Sequence, residues 1–281
     1  MKPAPFEYHA PASAKEAVDL LVELGDGAKL IAGGQSLVPI LAMRLAIFDH
    51  LIDIRRIDGI RGIEERDGRV WIGAGTTEAE IGRSELIARR VPLLSRATPL
   101  IGHFQIRNRG TIGGSIAHAD SAAEYPAVAL ALDATIETLS PRGERSIPAG
   151  EFFTGIWTTA LEPDELLTAV TFPAASAPGA GSSSRGRTGF AIEEFARRPG
   201  DFAVAGAAVA VTLDESGNIS RTSIGLFGLG PTPLLVSSPD AVAGLDAVPS
   251  DLHGSASYRK RVGAAMVAAA FDKAAREAFN G

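Results

Sequence analysis

The sequence predicts an α+β protein of two domains, and three observations lead there. Its 281 residues are 46% hydrophobic with a mean hydropathy of +0.13, enough for substantial apolar cores, and at about 150 residues per domain the length suits two of them. Short apolar segments alternate with helical ones through residues 1–175, joined by glycine turns. Residues 174–188, AASAPGAGSSSRGRT, carry almost no large apolar side chain and read as a linker or loop. The main boundary is expected there, with one domain over 1–175 and a second over 176–281.

Taken in order, Ser13 and Glu16 stand at capping-box spacing before Ala17, Leu20, Leu21 and Leu24, which share one helical face, and Gly25 supplies a stop. The pattern predicts a helix over 13–25. Lys29, Leu30 and Ile31 form a short apolar strand that runs into Gly33 and Gly34, with Ser36 placed to cap a second short helix toward Leu45. Residues 51–57 read as a strand. Asp67 and Gly68 between 62–65 and 69–72 give a hairpin signal, because both residue types tolerate positive φ. Thr77 and Glu80 repeat the capping-box spacing. A second glycine segment at 110–115 leads past His118 into an apolar helix at 121–132, and strands follow at 134–140 and 165–172. Beyond the boundary, 203–213 and 219–228 flank the turn at 214–218 as an antiparallel hairpin, and a helix is expected near 256–279. The absence of an internal repeat argues against a solenoid.

Composition narrows the chemistry. With no cysteine, the chain has no thiolate for an iron–sulfur cluster, a Cys-rich zinc site or a redox disulfide, so redox chemistry would need a bound cofactor. A net charge of −6 offers no general attraction for nucleic acid. The N-terminus lacks a signal-peptide core, and no apolar run is long enough for a membrane span. A cytoplasmic location is the expectation.

Two Gly-Gly pairs, Gly33-Gly34 and Gly113-Gly114, each lie beside a hydroxyl residue and lead toward a helix start. Glycine lets backbone N–H groups approach an anion, and a helix N-terminus adds a favourable dipole. The pairs could hold the two phosphates of a dinucleotide from both sides; ordinary tight turns would show the same spacing, and spacing alone names no ligand. Gly73-Ala74-Gly75 opens like a dinucleotide fingerprint that fails at Glu78, and reads as a plain strand-to-helix connection. Residues 113–117 approach a nucleophile elbow but end in Ala117, which argues against a hydrolase. His9, His50, His103, His118 and His253 show no helical metal-pair spacing, so no metal site is expected. His118 could touch a ligand or be hydrogen-bonded within its loop. Arg107 and Arg109 could neutralise phosphate, extend into solvent or pair with carboxylates. Arg197, Arg198 and Asp201 read as an ion-pair cluster between domains.

AGGQSLVPILAMRLA at 32–46, IRNRGTIGGSIAHADSAAEYPAVALALDA at 106–134 and RRPGDFAVAG at 197–206 together resemble the medium, flavin-binding subunit of molybdenum hydroxylases, the family of xanthine dehydrogenase and carbon monoxide dehydrogenase. The resemblance spans nearly the whole chain, including SASYRKRV at 255–262. It implies a two-subdomain α/β FAD-binding module of the PCMH type, with subdomains at about 1–57 and 58–175, followed by a C-terminal domain with a three-stranded antiparallel sheet and helices. It places a first FAD motif on Ala32, Gly33, Gly34, Gln35 and Ser36 and a second on Thr111, Ile112, Gly113, Gly114 and Ser115, both around the pyrophosphate and ribityl oxygens. It further implies Lys29 beside the phosphates, Ile101 along the cofactor, Glu124 at the ribose and Leu167 near the isoalloxazine.

Two departures stand out. Ile192 occupies a position where many relatives carry Tyr, and Ser115 one where many carry Asn. The resemblance also implies a division of labour. A large partner subunit would hold molybdopterin cytosine dinucleotide and hydroxylate the substrate, be it an N-heterocycle, an aldehyde or carbon monoxide. A small partner would hold two 2Fe-2S clusters, and electrons would pass from them to this FAD and on to an external acceptor, in a dimer of heterotrimers. No side chain of this chain then needs to act as a general acid or base. The alternatives are a stand-alone FAD oxidoreductase of the same superfamily and a non-catalytic dinucleotide-binding module.

Overall fold

A parallel sheet opens the chain, with strands β1 (Glu7–His9), β2 (Ala28–Ile31) and β3 (His50–Asp53) in the order β1-β3-β2. The structure is a computed structural model that describes residues 2–175 and 187–280; most of the low-complexity segment, residues 176–186, lies outside the described residues. Helix α1 (Ala14–Leu24) buries Ala17, Val18 and Leu21 against this sheet. Its Ser13 hydroxyl accepts the Glu16 N–H as expected, but the Glu16 carboxylate returns to the N–H of Ala12, so the box closes one residue early. Helix α2 (Leu37–Ala42) follows β2, and the Ser36 side chain makes no capping bond to it. β3 stops at Asp53 because the buried Asp53 carboxylate accepts the Arg55 N–H at 2.9 Å and the Tyr8 hydroxyl at 2.6 Å, which turns the chain out of the strand.

The next unit is a five-stranded antiparallel sheet. β4 (Ile63–Arg66) and β5 (Arg69–Gly73) form the expected hairpin, with Asp67 at φ 49° and Gly68 at φ 72° as a tight turn requires. After them come α3 (Glu78–Arg83), α4 (Glu85–Arg90), α5 (Pro92–Ala97), α6 (Phe104–Arg107), α7 (Ile112–His118) and α8 (Glu124–Ala131). The chain then supplies β6 (Thr135–Ser140), β7 (Gly143–Pro148), α9 (Ala149–Phe152), the small pair β8 (Phe153–Gly155) and β9 (Thr158–Thr159), and β10 (Leu166–Pro173). Strand order is β4-β5-β10-β6-β7. Ile72, Leu94, Ile112, Ile116, Tyr125, Phe152 and Phe172 share the core on the helical side.

The C-terminal domain contains the three expected antiparallel strands, β11 (Thr188–Phe195), β12 (Ala205–Leu213) and β13 (Ile219–Phe227), and a short fourth, β14 (Leu234–Val236), at the edge of β13. The long helix α10 (Ala256–Asn280) covers one face through Val267, Ala270, Ala274 and Ala278. Buried Arg259 fixes its start by pairing with Asp251 and donating to the carbonyls of Val204 and Gly228. The expected cluster of Arg197, Arg198 and Asp201 does not form an ion pair among the described residues; Arg197 meets the His253 ring instead, and the Asp201 backbone folds back on Arg198.

The other face of the C-terminal sheet rests on α8, whose eight residues, EYPAVALA, are all buried between α5 and α7 on one side and β12 and β13 on the other. A helix that is apolar all round is stable only when covered all round. Gly225 permits this contact: a Cβ there would lie 2.8 Å from the Ala127 carbonyl carbon. The polar N-terminal residue of the same helix, Glu124, is carried into the interior with it.

Candidate cofactor site

The first glycine motif is the loop between β2 and α2. Gly34 adopts φ 75°, and the Gln35 side-chain amide closes the loop by donating to the Gly33 carbonyl at 2.9 Å. The Val38 N–H bonds to the Gly34 carbonyl, but the N–H groups of Gly33, Gly34, Gln35 and Ser36 meet no protein acceptor among the described residues. Four consecutive amides without protein partners are left available to an outside acceptor.

The second motif is the first turn of α7. The Thr111 hydroxyl caps it by accepting the Gly114 N–H at 3.1 Å, and the Ser115 N–H bonds to the Thr111 carbonyl. Ile112 and Gly113 donate to the carbonyls of Thr76 and Ala74, so the segment after β5 serves as their backing. Gly113 allows that close approach, since a Cβ on it would sit 2.8 Å from the Ala74 carbonyl oxygen. All four amides of residues 112–115 are therefore engaged inside the protein. This motif offers shape and the Ser115 hydroxyl, while the first motif offers the donors.

The two motifs touch. A Cβ on Gly33 would lie 2.7 Å from the Arg109 carbonyl carbon and 2.8 Å from Gly110 Cα, and one on Gly114 would lie 3.6 Å from Ala32 Cβ. Arg107 forms no salt bridge among the described residues; its guanidinium donates to the carbonyls of Ile101 at 2.7 Å and Gly102 at 3.0 Å, tying down the turn before α6.

The other expected site residues come from β2, the turn before α6, α8 and β10. Lys29 is exposed on β2, with its ammonium 5.9 Å from the Phe48 ring centroid. Ile101 packs on the edge of the core cluster that contains Ile112 and Ile116, and Leu167 is buried within that cluster on β10. Ile192 packs half-buried against the same cluster. His118 ends α7 with its ring parallel to Trp157 at 6.5 Å, and burial pulls its pKa down.

Sequence reading named Glu124 but missed that it belongs to a group of buried carboxyls. Glu78, the residue after the Thr77 cap, is 4% exposed with one unpartnered oxygen, and burial, opposed by Arg107, raises its pKa to about 8. Glu124 is raised to about 8, first by burial and then by the nearby charges of Glu194, Glu78 and Asp120. Glu194 rises to about 7 through burial and also keeps an unpartnered oxygen. It lines a cavity of about 480 Å³ with His103, Arg107 and Gly200, between the two domains. The spacing from Thr77 already marks Glu80 as the capping acid, which the fold bears out, but the burial of its neighbour Glu78 is visible only in the fold.

The chain matches two family models: "FAD binding domain in molybdopterin dehydrogenase" over residues 4–175 and "CO dehydrogenase flavoprotein C-terminal domain" over residues 190–244. It is 43% identical to the 6-hydroxypseudooxynicotine dehydrogenase complex subunit alpha of Paenarthrobacter nicotinovorans, covering 99% of this chain and 97% of that one. It is 40% identical to the carbon monoxide dehydrogenase medium chain of Hydrogenophaga pseudoflava, covering 98% of each. Among solved structures, a carbon monoxide dehydrogenase of Hydrogenophaga pseudoflava superposes with a TM-score of 0.92 at 39% identity over 99% of both chains. Quinoline 2-oxidoreductase of Pseudomonas putida 86 superposes with a TM-score of 0.88 at 32% identity over 99% of this chain and 100% of that one. On these matches the chain belongs to the family of FAD-binding medium chains of molybdopterin dehydrogenases, the oxidoreductase subunits of molybdenum hydroxylase complexes.

Proposed function

We propose that this chain accepts electrons from iron–sulfur clusters on a small partner subunit and passes them to an external acceptor, while a large molybdopterin-binding subunit oxidises the substrate. The observation that carries the reading is the run of four unpaired amides at residues 33–36, held in place by the contact of Gly33 with Arg109 and Gly110. These donors suit the FAD pyrophosphate. Ala32 would line the same loop, and Thr111, Ile112, Gly113, Gly114 and Ser115 would hold the cofactor from the other motif, the amides of residues 112–115 being engaged within the protein. Lys29 sits on the strand that leads into the phosphate loop. Ile101, Glu124 and Leu167 are assigned to the flanks of the cofactor, with Glu124 entering as a protonated carboxyl able to donate to a ribose oxygen.

The bound flavin supplies the electron storage, and the protein binds, orients and shields it. No cysteine thiolate is available on this chain to ligate a cluster, which supports the placement of the 2Fe-2S clusters on a partner. Among the described residues no helix is long and apolar enough to cross a membrane. We place the complex in the cytoplasm as a dimer of heterotrimers, and the boundary between the FAD-binding and C-terminal domains at residues 175–176.

Coexpression with the two partner subunits, followed by size exclusion with flavin, iron and molybdenum analysis, tests the proposal. One complex whose flavin is reduced anaerobically by the organic substrate is the expected result. A chain that elutes alone, with flavin reduced directly by an organic substrate, would overturn it in favour of a stand-alone oxidoreductase.

A further inference from the structure

We infer that Glu7, His9 and His50 form a binding site for a divalent ion of the zinc class, on the opposite side of β3 from the strand that leads into the phosphate loop. The two histidines are 41 residues apart in sequence and are brought together by the parallel pairing of β1 with β3, which sets Glu7 opposite His50. Glu7 and His9, two apart on one strand, project to the same face. His9 Nε2 lies 3.2 Å from His50 Nδ1, and His50 Nδ1 lies 3.6 Å from Glu7 Oε2. All three donor atoms fall within 4.8 Å of one another.

These distances match a coordination sphere. Zinc–nitrogen bonds of about 2.0–2.1 Å in a tetrahedron put neighbouring donors about 3.3–3.4 Å apart, between the two separations found. The imidazoles meet by their nitrogen edges, with planes tilted by 51° and centroids 5.3 Å apart, instead of stacking. The Glu7 side chain is 76% exposed, so it can close the remaining distance by rotating, and solvent can fill the fourth position. Two imidazoles, a carboxylate and a water form a donor set suited to zinc, and the absence of cysteine leaves no competing thiolate on the chain. A bound ion would pin β1 to β3. Neither strand contributes an assigned cofactor residue, so the site stands apart from the flavin reading.

The test uses the full-length chain, stripped with a chelator, dialysed and titrated with cobalt(II), then with zinc(II). The wild type should bind one equivalent of cobalt with visible absorption beyond the flavin bands, release it to zinc, and gain about 3 °C in melting temperature when saturated. His9→Gln and His50→Gln should each weaken binding by about tenfold or more, while His253→Gln, at a distant surface histidine, should match the wild type. Absence of a stoichiometric cobalt complex in the wild type would overturn the inference, whatever the variants do. Binding of equal strength in the His9→Gln and His50→Gln chains would overturn it as well, since the protein would then hold the metal elsewhere.

Discussion

Gly33 faces the backbone of Arg109, so close that a Cβ on Gly33 would stand 2.7 Å from the Arg109 carbonyl carbon. The glycine is needed less for approach to a ligand than for seating one motif on the other. Gly33→Val should push the loop at 109–110 away and spread the four donor amides, reducing FAD content by about tenfold or more. Gly114→Val, whose Cβ would meet the Thr111 hydroxyl at 3.0 Å, should also lose flavin by disturbing the cap. Absorbance of the purified variants gives the answer, and full flavin occupancy in both would remove these loops from the cofactor site.

Thr111 acts through its hydroxyl, which accepts the Gly114 N–H. Thr111→Ala should cost about 1 kcal/mol in stability and weaken flavin retention, while Thr111→Ser should keep both near the wild-type level. Thermal melts and flavin analysis of the pair separate the hydroxyl from the methyl group.

The buried carboxyls should make the flavin-free chain sensitive to pH. Burial lifts Glu78 and Glu124 from an ordinary 4.5 to about 8, so between those values the folded chain binds more protons than the unfolded one. Their contribution is complete below about pH 4.5 and is lost as pH rises toward 8. Glu78→Gln and Glu124→Gln should therefore stabilise the flavin-free chain at pH 8 by on the order of 1–3 kcal/mol and flatten its melting profile. Melting temperatures measured across the range check this; variants with the wild-type slope would show that these carboxyls are already ionised.

Gly225→Ala should loosen the contact between the domains, because its Cβ would strike the backbone of Ala127 on α8. A loss of about 2 kcal/mol or more is expected, with increased proteolysis near α8. A variant as stable as the wild type would mean that the helix can shift at little cost.

Local patterns made much of the fold legible. Asp67-Gly68 and the Thr77–Glu80 box each announced an element that forms as expected, because turn chemistry and capping act within a few residues, and the apolar helix expected over 121–132 forms over the shorter span Glu124–Ala131. The early end of β3 was only partly legible: the Asp53 turn to the Arg55 N–H is local, but the Tyr8 hydroxyl reaches Asp53 across 45 positions. The glycine motifs were visible as motifs, but the division between them was not: which amides remain unpaired depends on the carbonyls of Ala74 and Thr76, supplied by another segment. Burial of Glu78 and the meeting of His9 with His50 are likewise products of tertiary packing. Neither leaves a local signature.

Acid precipitation of the purified chain, followed by mass spectrometry of supernatant and pellet, tests the central claim most directly. With four free amides for a pyrophosphate and no cysteine for a thioether bond, about one equivalent of FAD per chain should appear intact in the supernatant. Flavin that stays with the pellet would contradict noncovalent binding, and a protein without flavin, alone or in its complex, would contradict the account as a whole.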